Sequence, residues 1–275
     1  MNGEMFMQSI SGEQTLRAPG LVQTALLTIR YRSPVAGRGR ALIPHLILLA
    51  APILLSAVTL WQDPGVSGLE ILQTMASSYY MQFAVGVVML GIGLGGFPVE
   101  DSYGTMVFLL TKPCSRIGIL LGRILSACVT GAGLVILSLT ATGLLLKAPV
   151  ANIVKLWPGL AAAAVIYGTL FTVLPLATKR TTVIGLIYLF IWEGIVSFVP
   201  GAVNSLTVSV YLRSLMPPPA SVSGAPDFLA LFSNTSHSVA YLRLGIWWIF
   251  IFAAGIMLFR SRQYSITESR SDAEA

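Results

Sequence analysis

Residues 117–146 read IGILLGRILSACVTGAGLVILSLTATGLLL, and the only charged side chain among them is Arg123. An α-helix needs about 20 mainly apolar residues to cross the hydrocarbon core of a bilayer. Barrel strands would instead show short segments of alternating polarity, and helices and closed barrels are the structures that satisfy their backbone in lipid. The stretch therefore predicts a transmembrane helix, with length to spare for tilt or for an interfacial start.

The composition extends this prediction to the whole chain. The 275 residues are 55% hydrophobic and 10% charged, with a mean hydropathy of +0.79, whereas a soluble domain carries about 25% charged residues. The net charge of +6 would suit a nucleic-acid partner if it formed a patch on a folded domain. The basic residues instead flank apolar runs, so we predict a polytopic membrane protein and no nucleic-acid partner.

Six stretches have the length and apolar character of a membrane-spanning helix. They cover about 41–60, 75–97, 117–146, 157–177, 181–199 and 243–259. The fifth and sixth lie near the short limit for a crossing. The sequence thus predicts an all-α fold with one six-span domain at 41–260.

The distribution of Lys and Arg predicts the orientation. With the N-terminus in the cytoplasm, 13 of the 17 basic residues lie on the cytoplasmic side. The other four are Lys147, Lys155, Arg213 and Arg243. This asymmetry follows the positive-inside rule, and an even number of spans places both termini in the cytoplasm.

Three segments lie outside the predicted spans. The cytoplasmic N-terminus, 1–40, has apolar residues at helical spacing from Leu21 to Ile29, which favours an amphipathic interfacial helix over an ordinary charged anchor. The external segment, 200–242, has apolar flanks that predict short helices on the outer surface. The cytoplasmic tail, 261–275, is polar, as is typical of a disordered segment.

Glu193 is the one acid within a predicted span core. An ionisable residue there is costly, and it usually faces a cavity or a partner. One interpretation makes Trp192 and Glu193 part of a translocation path or an outer gate. The other makes Glu193 a carboxyl group that pairs with a neighbouring helix, and the residue alone does not separate the two.

Other span residues have simpler predicted roles. Gly91 and Gly95, and likewise Gly118 and Gly122, form small-xxx-small pairs that allow close helix packing. Arg123 is expected to anchor its helix by extending to the cytoplasmic interface.

Enzyme signatures are missing from the sequence. It contains no G-x-x-x-x-G-K-[ST] phosphate loop, no H-E-x-x-H and no G-x-S-x-G. Its two cysteines, Cys114 and Cys128, have no partners at metal-ligand spacing. We therefore predict no catalytic residue, no metal site and no ATP hydrolysis by this chain alone.

Residues 98–123 read PVEDSYGTMVFLLTKPCSRIGILLGR, and this segment resembles the connection between the second and third spans of ABC type-2 transporter permeases. That family often shows an acid, Gly-Thr, an apolar run, Leu-Thr, a basic residue, Pro, Ser-Arg, then Ile-Leu-Leu-Gly and a basic residue. The residues that match in order are Glu100, Gly104, Thr105, Leu110, Thr111, Lys112, Pro113, Ser115, Arg116, Leu120, Leu121, Gly122 and Arg123. YLFIWEG at 188–194 and YLRSL at 211–215 also resemble a recurrent feature of one bacterial branch.

The resemblance implies a six-helix permease in the bacterial cytoplasmic (inner) membrane, with an N-terminal interfacial helix and a short cytoplasmic coupling helix between the second and third spans. The implied partners are a cytoplasmic ABC ATPase dimer, which binds ATP and Mg, a second permease copy (identical or related) and membrane lipid. The chain itself would hold no cofactor. The implied ATPase-coupling residues are Glu100, Asp101, Gly104, Thr105, Lys112, Pro113, Ser115 and Arg116.

The function implied is that of the membrane subunit of an ATP-driven exporter, which moves a hydrophobic or amphipathic substrate outward. Two alternatives stay open. The chain would otherwise be a non-transporting component that relays ATP-driven motion to an external accessory protein, or a proton-coupled secondary transporter that uses Glu193.

Overall fold

Helices make up almost all of the chain that the structure, a computed structural model, describes: residues 39–62, 67–94, 116–196, 206–216 and 236–261. No strand occurs in these ranges, so the predicted all-α class is confirmed for them. The helices are α1 (Gly39–Gln62), α2 (Gly68–Leu94), α3 (Arg116–Leu145), α4 (Val150–Ala177), α5 (Thr181–Ile195), α6 (Val208–Ser214) and α7 (His237–Ser261).

Four of these helices, α2, α3, α4 and α7, are long and apolar enough to cross a membrane. They indicate a membrane-embedded protein. The shorter apolar stretches Ile43–Thr59 in α1 and Thr181–Ile195 in α5 fall below that length, so the count of six spans stays a prediction. Residues 17–38 of the expected interfacial helix, and the segment 95–115 that contains most of the expected coupling helix, lie outside the described residues.

Two helices begin seven residues before the predicted spans, α2 at Gly68 and α4 at Val150. The Ser67 side chain accepts a hydrogen bond from the backbone N–H of Glu70, 3.3 Å away, which caps the first turn of α2. In α4, Lys155 lies exposed on the helix surface and so does not end the helix. Both extensions carry polar residues, which is why a search for apolar length missed them.

Helix α4 is the centre of the bundle. It packs against α2, α3 and α7 and also contacts α5 and α6. In its most apolar stretch of 18 residues, 67% is buried inside the chain, whereas the corresponding stretch of α7 is 22% buried. The core therefore forms around α4, and α7 lies at its edge.

Small residues bring α4 close to its neighbours. A Cβ added to Gly93 of α2 would lie 2.8 Å from both the carbonyl carbon and the Cβ of Phe171. A Cβ added to Gly168 of α4 would lie 2.8 Å from Sγ of Cys128 in α3. Because these glycines lack a side chain, the helices approach more closely than larger residues would permit.

The glycines predicted to pack are in part described. Gly91 lies against the His45 imidazole of α1, and Gly118 and Gly122 are buried on α3. Gly95 lies outside the described residues.

The expectation that Arg123 extends to the interface is wrong, since its side chain is only 2% exposed. The end of α3 that carries it packs against the ends of α4 and α7 in a cluster that includes Leu120, Ile124, Val173 and Phe259.

Polar side chains of α2 and α3 satisfy the backbone of α1 at a proline. Pro52 lies inside α1 and has no N–H to give to the carbonyl of Leu48. The Tyr79 hydroxyl donates to that carbonyl at 2.6 Å, and the Ser138 hydroxyl donates to the next carbonyl, that of Leu49, at 2.6 Å. The Tyr79 bond replaces the donor that Pro52 lacks, and the Ser138 bond joins α3 to the next turn of the α1 backbone.

Tyr80 completes this network. Its hydroxyl lies 2.7 Å from Ser138 Oγ and 3.1 Å from Thr142 Oγ1. Because Ser138 gives its own proton to Leu49, Tyr80 donates to Ser138.

Replacing Tyr80 with phenylalanine should lower the free energy of unfolding by about 1 kcal/mol, because the Ser138 hydroxyl loses its buried donor. Denaturant unfolding of the chain in detergent micelles measures the change. Tyr241→Phe is the matched control, since Tyr241 is 48% exposed on α7. Equal effects of the two substitutions would contradict the assignment.

Candidate functional site

Helices α5 and α6 meet at the carboxylate of Glu193, which is 2% exposed. This residue lies in the π-helical second half of α5, Tyr188–Ile195. Its Oε1 accepts from the Tyr188 hydroxyl at 2.6 Å and from the backbone N–H of Val208 at 3.2 Å. Its Oε2 accepts from the backbone N–H of Ser209 at 2.8 Å.

The bonds to Val208 and Ser209 cap α6 from another helix. The first N–H groups of any helix have no intrahelical acceptor, and Thr207 at the N-cap position does not cap α6 with its own side chain. The side-chain oxygens of Glu193 take that place. The Ser209 hydroxyl also lies 3.5 Å from the Glu193 backbone oxygen.

Helix α6 lies deep in the bundle. Every residue from Thr207 to Met216 is buried except Arg213, which is partly exposed. Arg213 donates to Gln82, which is near the middle of α2. Tyr167, near the middle of α4, interacts with the Glu193 carboxylate through its hydroxyl. The end of α6 passes Gly159 of α4, where a Cβ would lie 2.9 Å from Cε of Met216.

The expected short helix is present at residues 208–214 but is buried within the bundle, and its place on the external side stays a prediction. The helix is enclosed by α2, α4, α5 and α7. Its sequence, VSVYLRS, is apolar on nearly every side, and a helix of that kind is buried.

Two further side chains hold α6. Arg243 of α7 donates to the Tyr211 hydroxyl, and its guanidinium carbon lies 5.1 Å from the centre of that ring, a cation–π geometry. The guanidinium group of Arg213 also interacts electrostatically with Glu193. Side chains of α2, α5 and α7 thus bind a helix of only seven residues.

The structure separates the two residues predicted to line a path or gate. Glu193 points into the bundle, whereas Trp192 is 38% exposed and points away from it. Consecutive helical residues do not face the same side, so Trp192 lies outside this cluster, and the role of the two residues in a path or gate stays a prediction.

Most of the predicted coupling residues lie outside the described residues. These are Glu100, Asp101, Gly104, Thr105, Lys112, Pro113 and Ser115. Arg116 is the first residue of α3.

The YLFIWEG and YLRSL stretches come together here, since Tyr188 and Glu193 belong to the first and Tyr211 and Arg213 to the second. No protein-family model matches this chain, and no curated protein matches it. The resemblance to ABC type-2 permeases therefore rests on the motif residues themselves.

Sequence reasoning missed Tyr167, Gln82 and Ser209 as partners of this cluster. A polar residue in the middle of an apolar helix was the available signal for Gln82 and Tyr167. Within the described ranges, no group of three or more His, Cys, Asp and Glu residues is placed to hold a metal ion. The cluster has the chemistry of a polar joint between helices, built from one carboxylate, hydroxyls, an amide and guanidinium groups.

Proposed function

We propose that this chain is the transmembrane permease subunit of an ATP-driven ABC exporter and moves a hydrophobic or amphipathic substrate outward. The ordered matches in residues 98–123 carry the proposal. A separate cytoplasmic ATPase dimer supplies the ATP and Mg chemistry, and a second permease copy completes the complex in the bacterial inner membrane.

The arrangement of the helix ends supports this proposal. The end of α2, the start of α3 and the ends of α4 and α7 gather at one end of the bundle, as the Gly93–Phe171 contact and the cluster around Leu120 and Phe259 require. Exposed basic residues lie at the same end: Lys179, Arg180 and Arg260. This is the end expected to face a cytoplasmic partner, because basic residues concentrate there.

A route for mechanical coupling follows from the same contacts. The segment 95–115 joins α2 to α3, so force applied to it acts on both helices. Helix α2 contacts α4 through Gly93 and contacts α6 through Gln82. Motion that starts at the ATPase thus reaches the Glu193 cluster through α2.

Co-expression and co-purification test the proposal. The full chain should purify with an ABC ATPase, and transport into inverted membrane vesicles should require ATP hydrolysis by that complex. A matched sample with the proton gradient collapsed should keep its transport activity.

Three results would redirect the assignment. Transport that stops with the proton gradient and survives ATP depletion would favour the secondary transporter. Intact ATPase activity without transport would favour the mechanical relay, which the direct connection of α6 to residues 217–235 supports. Purification without any ATPase would overturn the exporter proposal.

A further inference from the structure

The attachment of α6 raises the question of which bond keeps it inside the bundle. A helix of seven residues is far below the length that is stable alone. Its first residues, Val208 and Ser209, are each 2% exposed, and an unmet backbone N–H at such a buried position is costly. Its position therefore depends on acceptors that other helices supply.

Glu193 binds the backbone of α6 directly. It accepts from Val208 at 3.2 Å and from Ser209 at 2.8 Å, whereas the contacts from α2 and α7 reach side chains, those of Arg213 and Tyr211. Side-chain partners can change rotamer and keep their bond, but a backbone N–H moves only when the helix moves. The carboxylate therefore decides where α6 begins.

We infer that Glu193 is a positioning residue: its carboxylate holds α6 in the interior, and its loss frees residues 206–216 while the rest of the bundle stays folded. Tyr211 and Leu212 of α6 belong to the main core, but a second hydrophobic cluster, between α3 and the ends of α4 and α7, contains no residue of α6 and should stay folded without it. The inference concerns this chain alone and does not depend on the partner ATPase.

Release of α6 would uncover groups that it now covers. It packs against α2, α4 and α7, and Gln82 and Gly159 lie against its second half. The segment therefore fills the space between these helices in the described state, and Glu193 sets whether it stays there.

Two cysteine reporters test the inference in the purified full chain in detergent micelles. Cys114 is replaced by serine. The first reporter is Ser214→Cys, at a buried position in α6. The second is the native Cys128, which is 6% exposed in the separate cluster. A small soluble maleimide modifies each thiol at a rate that depends on its exposure.

Glu193→Ala should raise the modification rate of the cysteine at 214 by about tenfold or more, because backbone donors of α6 lose their acceptor. The rate at Cys128 should stay at the parental value. Glu193→Gln keeps the shape and one acceptor oxygen, so it should give an intermediate rate. It also provides the test if the alanine variant does not accumulate. Glu70→Ala, at an exposed acid, is the matched control and should change neither rate.

Two results would overturn the inference. One is an unchanged rate at position 214 in both Glu193 variants. The other is a parallel rise at position 214 and Cys128, which would mean that the carboxylate stabilises the fold as a whole and does not position α6.

Discussion

Alanine at position 93 will lower the free energy of unfolding by about 1–3 kcal/mol, although alanine is ordinarily the better helix former. The added Cβ would lie 2.8 Å from the carbonyl carbon of Phe171, and a backbone atom of the central helix cannot turn aside as a flexible side chain can. Phe171 is fully buried, and its ring stacks on that of Tyr167 with a centroid distance of 6.1 Å. Helices α2 and α4 would have to separate along their contact.

Gly133→Ala is the matched control for this substitution. Gly133 lies in α3, and a Cβ there would meet nothing within 4 Å. The change should be neutral or should stabilise the chain by up to about 1 kcal/mol through helix propensity. Denaturant unfolding in micelles compares the two variants. A stability for Gly93→Ala equal to that of Gly133→Ala would show that the close approach of α2 and α4 is not required.

The second large effect concerns function. Under the exporter proposal, Glu100→Ala or Arg116→Ala should each abolish most ATP-driven transport while the chain still folds and inserts. Truncating one member of a buried, hydrogen-bonded charge pair at an interface costs about 2–5 kcal/mol. A tenfold loss in the population of the coupled complex corresponds to only about 1.4 kcal/mol, so the expected loss exceeds tenfold. The loss should appear as weaker ATPase binding or as ATP hydrolysis without substrate movement.

Vesicle transport and ATPase assays on the purified complex separate these two forms of loss. Lys155→Ala is the control, because Lys155 is an exposed charge toward the opposite end of the bundle and should not affect coupling. Normal coupling in both the Glu100 and the Arg116 variants would refute the role assigned to residues 98–123. It would also reduce that segment to an ordinary basic loop between two helices.

Much of the architecture was predictable because apolar length is a direct consequence of the bilayer. The run at 117–146 became α3 almost residue for residue, from Arg116 to Leu145. The starts of α2 and α4 were harder to predict, because their first turns carry polar residues such as Glu70 and Lys155. The Ser67-Gly-Leu-Glu70 pattern of a capping box was the signal available for α2.

The sequence indicated the buried acid of the Glu193 site but not its partner. A single acid in an apolar span pointed to a buried partner, and the structure supplies one in the backbone of α6. The sequence could not show that the partner is a main chain, since backbone donors look alike at every position. Trp192 lies outside the cluster because neighbours on a helix face different sides.

Contacts between residues that are distant in the sequence could not be predicted from it. Nothing local to Gly93 marks it as the point where α2 approaches the backbone of α4, since this depends on where Phe171 lies. The burial of α6 also depends on α2, α5 and α7 together. Its composition, apolar on nearly every side, was nevertheless a usable sign.

The proline in α1 has a consequence for the order of assembly during synthesis. The Leu49 carbonyl accepts a hydrogen bond from the Ser138 hydroxyl, which is 89 residues further along the chain. At about 5–20 residues per second, the ribosome reaches Ser138 roughly 4–18 s after Leu49. Through that interval the bond between α1 and α3 cannot form, so this part of the packing of α1 is completed only after α3 has been made.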